Sequence, residues 1–448
     1  MTLTRRGFLA GAASGLVPAY CQTCAPPAGG TPLPFSIPAG QTNVQRKAIS
    51  ALTATEVNRL RLAYRALRNL TNSNANDPRG WMQQANVHCF QCGGNPAGSD
   101  IHQSWFFLPW HRAYLYYHER ILGRLINDMS FRLPFWDWDL PASRNLPPIY
   151  RPQTVSSQPN SLFDNLRDTN GGQAMPASIF PANSNPMNSP NFPTFGGSAS
   201  SGGSLENTIH GLVHVWTAHR PMTQARADMG RLNTAARDPI FFKHHCNIDR
   251  LWAEWLRRNP VARQNPTALA WLDRAFTFFD ENSRLRSIRV RDVLNTATNL
   301  GYNYAPGAAL TSSAAPKRFD LTASQQQVVK LTAELKKRLL TPSDLNVTRS
   351  LVVEDAKVPT ATGLYNVFAG APPAAGTEAS EAPNYLGYIA VIVGEHAHAA
   401  RPASLILDPK KAFADMASTS EGAFLTYAPA GAAQGTRLSF SSVYIIEQ

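Results

Sequence analysis

Nine of the chain's eleven histidines lie in its first 250 residues: His88, His102, His111, His118, His210, His214, His219, His244 and His245. A helical, aromatic-rich interior is a costly place for an imidazole unless both ring nitrogens find partners, so nine together argue for ligation rather than packing. His210 and His214 stand four residues apart, which puts both rings on one face of a shared helix, within reach of a single metal. A third imidazole for that metal is offered by the adjacent His244 and His245 in DPIFFKHHCNIDRLW (238–252). Neighbours on a helix project about 100° apart, so only one of the pair should ligate. His88, His102 and His111 form a second set, from a loop and the start of a buried helix. Six neutral imidazoles with no carboxylate among them favour copper or zinc over calcium or magnesium, and two three-histidine sites with open positions argue for a paired redox centre.

The elements that must position these rings are mostly helical. Residues 51–69 carry Val57, Leu60, Leu62, Tyr64 and Leu67 at mostly three-to-four spacing behind Thr53 as a cap. Residues 105–126 (WFFLPWHRAYLYYHERILGRLI) are too apolar for a surface helix and should lie in the core, with Pro109 in the first turn. Residues 211–219 and 241–256 read similarly. Such helices predict an α-bundle with the site in its interior. The stretch 140–205 turns to Pro, Ser, Asn and Gly and reads as a long surface loop. After 305–317 (APGAALTSSAAPK), which reads as a linker, the runs 348–353, 388–393 and 438–446 read as strands of a small β-sandwich or barrel. The fold class is therefore mainly α, a four-helix bundle followed by a smaller β-rich domain. The expected divisions are an N-terminal segment 1–25, a helical domain 26–305, a linker 306–318 and a C-terminal domain 319–448.

Composition narrows the partners. With 43% hydrophobic and 16% charged residues the 448-residue chain is ordinary globular protein. The net charge is +12, but residues 311–448 hold 12 basic and 12 acidic groups, so the excess is scattered singly through the remainder. That pattern reads as solubility and argues against a nucleic-acid partner. No uncharged apolar run reaches the ~18 residues of a membrane span, so no stable membrane insertion is expected. The opening TLTRRGFLAGAASGLVPAYC, with Arg5 and Arg6 before small and apolar residues, reads as a twin-arginine-type signal for export in folded form, to a periplasm or the outside. Five cysteines (Cys21, Cys24, Cys89, Cys92, Cys246) leave at least one without a disulfide partner.

The segments NVHCFQC (86–92), HQSWFFLPWHRAYLYYHERI (102–121), LPFWDWDLP (133–141), LENTIHGLVHVWT (205–217), DPIFFKHHCNIDRLW and LGYNY (300–304) occur in one order along the first 305 residues. In these the chain resembles the type-3 dicopper tyrosinases and catechol oxidases, the polyphenol oxidase family. The resemblance implies two copper ions, with His88, His102 and His111 on the first and His210, His214 and His245 on the second, and O2 as co-substrate. His244, His118, Asn247 and Asp249 would then support the ligands; His118, two turns beyond His111, competes as a ligand by geometry alone, but relatives have an aromatic there. His219 lies outside the motif and reads as structural. The resemblance also implies a thioether between Cys92 and His102, with a disulfide through Cys92 as the alternative, and a disulfide from Cys89 to Cys24 or Cys21. Cys246 reads as a buried free thiol.

For activity, the resemblance implies oxidation of o-diphenols to o-quinones, with ortho-hydroxylation of monophenols as a second reaction. Glu206, four residues before His210, would hold a water that serves as base. Gly211 stands where some tyrosinases have an Asn, which weakens the expectation of monophenol hydroxylation. Leu232 replaces an aromatic gate and should widen the entrance to small phenolic substrates. The C-terminal domain resembles the shielding domain of latent relatives, with the linker as the cut for an activating protease. His396 and His398 share one side of an extended segment and either handle copper in transit or sit in a solvated turn. The alternative from another class is a haemocyanin-like oxygen carrier.

Overall fold

The protein was analysed as a computed structural model, which describes Cys24, residues 29–91, 101–165, 167, 174–175, 185–217, 228–230, 234–305 and eight strands between 317 and 447. Helix α1 (Ala54–Ser73) starts where the sequence predicts a cap: Thr53 Oγ1 accepts from the Glu56 N–H at 3.2 Å and Glu56 Oε2 accepts from the Thr53 N–H at 2.9 Å. The reciprocal pair satisfies two of the donors that a helix start leaves open. Its buried face, Leu60, Ala63, Tyr64 and Leu67, follows the three-to-four spacing of the apolar residues.

Helices α2 (Trp81–Gln91), α3 (Phe107–Leu125), α4 (Gly211–Thr217) and α5 (Ile240–Arg258) complete the helical unit. α3 is buried on nearly every face, from Phe107 to Gly123, which is why its sequence lacks a polar stripe. It packs against α5, and α1 lies against both α2 and α3. A π-helical turn, Glu206–His210, precedes α4 and widens the approach to the second histidine pair.

Short strands tie the helical unit together. β1 (Leu33–Pro34) runs parallel to β4 (Leu285–Arg289), itself antiparallel to β3 (Ala275–Phe279). β2 (Val44–Arg46) runs parallel to β5 (Tyr302–Tyr304), so the two ends of the unit meet.

The stretch 140–205 corrects the sequence reading. It is irregular, but it is not a surface loop: Tyr150, Leu162, Met187, Phe192 and Phe195 are buried. Phe195 stacks on Trp255 of α5 with centroids 4.4 Å apart, and Trp255 Nε1 donates to the Ser189 carbonyl at 2.9 Å. Single aromatic anchors spaced by Pro and Ser carry no periodicity, so burial here leaves no pattern in the sequence.

The C-terminal part is an eight-stranded antiparallel sheet of β6 (Lys317–Ala323), β7 (Val328–Lys330), β8 (Arg349–Ala356), β9 (Gly363–Ala369), β10 (Tyr385–Val391), β11 (Arg401–Leu407), β12 (Phe424–Ala430) and β13 (Ser442–Glu447), in the order β10-β9-β12-β7-β6-β13-β8-β11. The outermost strands β10 and β11 lie beside each other, so the sheet rolls toward closure. β11 also lies against the Glu206–His210 turn. The chain is thus mainly α with a smaller β-rich part, and no described helix is long and apolar enough to cross a membrane. The linker 306–316, and with it the exact domain divisions, falls outside the described residues.

Candidate metal centre

The histidines gather into two buried clusters. His88, His102 and His111 form one, His210, His214, His244 and His245 the other, and within each the ligand atoms lie within 4.8 Å of one another. His88 comes from α2 rather than from a loop, beside Cys89, whose disulfide to Cys24 anchors that helix. Of the two partners expected for Cys89, the structure selects Cys24. His102 sits on the turn before α3, and His111 one turn into it. His210 ends the π turn, His214 lies on α4, and His244 and His245 lie on α5.

The clusters abut. The His111 ring lies flat on that of His245, centroids 4.1 Å apart and planes 7° apart, and His102 stacks at 6.4 Å on His210. Phe241 packs at 4.7 Å from His88 and 4.3 Å from His245, walling the centre with apolar surface. Burial accordingly pushes the imidazoles toward the neutral form: His111 to about 3 and His214 to about 4, with His210, His244 and His245 well below the usual value. For His210 and His245 the neighbouring imidazoles push in the same direction.

Hydrogen bonds fix which nitrogen carries the lone pair. His111 Nδ1 faces the Phe107 carbonyl at 2.8 Å and His214 Nδ1 the Met229 carbonyl at 2.8 Å. A carbonyl only accepts, so both Nδ1 atoms are protonated and both Nε2 atoms present lone pairs. Among the described residues, His111 Nε2 and His210 Nε2 are buried without a partner, one in each cluster. His214 Nε2 faces His245 Nε2 at 3.4 Å. Orphaned nitrogens in two buried, all-histidine groups are the donor set that suits copper, so the residues fit the metal pair. His244 differs. Trp138 Nε1 donates to its Nδ1 at 3.1 Å, which directs the ring proton to Nε2, a nitrogen that is also buried with no partner among the described residues.

The other expected site residues fall as follows. His118 lies outside both clusters, stacked at 3.6 Å on Phe242, with Nε2 at 3.2 Å from Tyr64 Oη and Nδ1 at 3.1 Å from Gln84 Oε1. Asn247 donates to Asp139 Oδ1 at 2.9 Å and accepts from Arg250 Nε at 2.7 Å. Asp249 accepts from Arg112 Nε at 2.5 Å, Tyr302 Oη at 2.6 Å and Tyr304 Oη at 2.7 Å. Burial alone would raise its pKa, but Arg112 and Arg46 hold the carboxyl below the usual range. Cys246 is a buried free thiol, pushed up to about 12 by burial. Glu206 is buried, and Gly211 borders open space. Cys21, Cys92, His219, Leu232, His396 and His398 lie outside the described residues.

Sequence reasoning passed over Gln103, which binds Glu206, and Lys243, fully buried against Tyr64. Neither belongs to a spacing pattern. The only signals were their positions, Gln103 directly after His102 and Lys243 directly before His244.

A helical frame with two abutting all-imidazole clusters defines a binuclear copper protein of the type-3 class. The common central domain of tyrosinase matches residues 78–177 and 151–258, and the polyphenol oxidase middle domain matches 266–313. The chain belongs to the tyrosinase and catechol oxidase family of polyphenol oxidases. It is 39% identical to the chloroplastic polyphenol oxidase of Malus domestica over 273 residues, 54% of this chain and 45% of that protein. The crystal structure of Grenache (Vitis vinifera) polyphenol oxidase is 31% identical, covers 64% of this chain and 92% of its own, and has a TM-score of 0.55. A latent aurone synthase (polyphenol oxidase) from natural source is 25% identical, covers 95% and 93%, and has a TM-score of 0.63. The chain spans about half the length of the curated relatives it matches.

These relatives correct one expectation. The Malus protein and others like it are named as chloroplastic, which overturns export through a twin-arginine signal to a periplasm or the outside. An arginine pair ahead of small and apolar residues is a short compositional cue, and residues 1–20 lie outside the described structure.

Proposed function

We propose that the chain is a dicopper oxidase that converts o-diphenols to o-quinones with O2 and hydroxylates monophenols ortho to their oxygen as a second activity. The observation that carries this reading is the flat stacking of His111 on His245, which brings two all-imidazole clusters into contact. A bound copper pair supplies one-electron chemistry at two adjacent ions, which zinc cannot. Two catechols each give up two electrons and two protons, and together these reduce one O2 to two waters.

The chain's own residues hold, orient and exclude. His88, His102 and His111 would hold one ion, and His210, His214 and His245 the other, each bond to a carbonyl turning a lone pair inward. Trp138 holds His244 beside them, and Asn247 and Asp249 pin α5. Glu206 would take the phenolic proton through a water, because the phenol must be deprotonated to bind and react. Leu232 at the entrance would set which ring shapes enter. Cys92 and His102 would be joined by a thioether, visible as a peptide cross-link lighter by two hydrogens. Residues 319–448 would shield the site until a protease cuts the linker 306–318; β11 lying against the Glu206–His210 turn supports that role.

The oxygen-carrier alternative has no support among the relatives, which are named as oxidases. The deciding experiment loads the protein with copper, counts metal per chain and follows oxygen uptake with a catechol and the matching monophenol, before and after cleavage at the linker. Two coppers with catechol turnover establish the oxidase. Reversible O2 binding without turnover after cleavage points to a carrier, and failure to bind copper removes the reading.

A further inference from the structure

Gln103 follows His102 directly, with a backbone φ of +61°, a conformation that costs a residue with a Cβ free energy unless its surroundings over-determine it. Those surroundings are Glu206. The Gln103 N–H donates to Glu206 Oε1 at 2.8 Å and to Oε2 at 3.1 Å, and the side-chain Nε2 donates to Oε1 at 3.0 Å. The side-chain amide is oriented by the same contact, since only its NH2 can donate, so Gln103 Oε1 faces the other way.

Gly202 packs against that face. A Cβ on Gly202 would sit 2.7 Å from Gln103 Oε1, 2.7 Å from Glu206 Oε2 and 2.9 Å from Asn207 Oδ1. Asn207 Nδ2 donates back to the Gly202 carbonyl at 3.0 Å, which fixes that amide too. Three side chains therefore converge on a spot kept open by a missing methyl group, while Gly211 has no side chain and no described atom within 4 Å of its Cβ position.

We propose that Gln103 is the positioning residue for Glu206: its strained backbone and its amide aim the carboxylate that serves as the base, in place of any contribution from position 211. This rests on the oxidase reading above. It ties the base of the second copper site to the residue after a ligand of the first, so that the carboxylate moves with both.

A double-mutant cycle tests it, run on two readouts with Gln103→Ala, Glu206→Gln and the pair. The first readout is unfolding of the copper-free protein; the second is kcat/KM for a catechol and for a monophenol after copper loading. The expected result is coupling in both: Gln103→Ala lowers kcat/KM about tenfold in the parent but leaves the Glu206→Gln protein unchanged, with two coppers bound throughout. Gln103→Gly sharpens the test, because glycine relieves the left-handed backbone and keeps the single backbone N–H donor while removing the amide. It should leave the melting temperature equal or higher and still lower turnover; a lower melting temperature with unchanged turnover would overturn the proposal. So would coupling in unfolding alone, which would make the contact a scaffold, or additive effects in both readouts. If the copper-loaded parent oxidises no phenol, the oxidase reading itself fails, while the unfolding cycle still reports whether Gln103 and Glu206 are coupled.

Discussion

Arg112 Nε and Asp249 Oδ1 meet at 2.5 Å where α3 and α5 cross, both side chains buried. Arg112 follows His111, and Asp249 lies one helical turn beyond His245, so the pair locks the two helices whose histidines stack across the centre. Arg46 reaches the same carboxylate at 3.4 Å and Glu119 at 2.9 Å, and its guanidinium lies 3.5 Å over the Tyr302 ring. Asp249→Asn keeps the shape but takes the carboxylate from Arg112, while Arg46 keeps Glu119. Removing one partner of a buried pair costs about 3–5 kcal/mol. Urea unfolding of the copper-free protein should show a loss of that size, and a loss below about 1 kcal/mol would mean that the pair does not hold the helices.

The buried imidazoles set the acid sensitivity of the copper-free protein. His118 is held well below the usual value by burial and by Lys243, while His111 lies at about 3 and His214 at about 4, from 6.5. As pH falls through about 6.5 the unfolded chain takes up these protons and the folded chain does not, so stability falls with pH, by up to about 1.4 kcal/mol per unit per histidine. For His214 and His111 the loss stops once their folded values near 4 and 3 are passed. Melting temperatures from about pH 7.5 to about pH 5 should fall steadily, and His118→Phe should flatten the slope. An unchanged slope in that variant would show that His118 is not buried neutral.

How much of this was legible in the sequence depended on periodicity. The i,i+4 pair His210 and His214, the cap at Thr53 and the all-apolar face of α3 follow from helical spacing and were readable. The choice between His244 and His245 was not, because both lie on one buried helix; the Trp138 hydrogen bond that separates them comes from 106 residues away. Gln103 was unreadable for a related reason: its left-handed backbone accompanies a contact with Glu206, 103 residues along the chain. The burial of Phe192 and Phe195 escaped because a chain that dips inward at single aromatics leaves no repeat.

The Cys24–Cys89 disulfide closes a loop across a separation of 65 residues and fastens α2, which carries His88. Restricting an unfolded chain over such a loop stabilises the folded state by about 4 kcal/mol in the chain-entropy account. Cys24→Ser should lower stability by up to that amount and make unfolding insensitive to reductant, whereas the parent should lose stability when reductant is added. Equal stability of the parent with and without reductant would show that the bond does not form.

Gly211 begins α4 directly after His210, at φ −63° and ψ −37°, an ordinary helical conformation. Among the described residues nothing lies within 4 Å of its Cβ position. Gly211→Asn therefore carries no steric cost, and replacing a helical glycine by a residue with a Cβ gains roughly 0.3–0.5 kcal/mol. The new amide stands one residue beyond His210 and five beyond Glu206, on the same turn of chain, where it can hold and polarise a water against that carboxylate. The variant should melt at the same temperature or slightly higher, leave catechol oxidation near its original rate and raise monophenol hydroxylation several-fold, shortening the lag before oxygen uptake. A monophenol rate that stays flat in a stable, copper-replete Gly211→Asn protein would mean that hydroxylation is limited at the entrance rather than by the base.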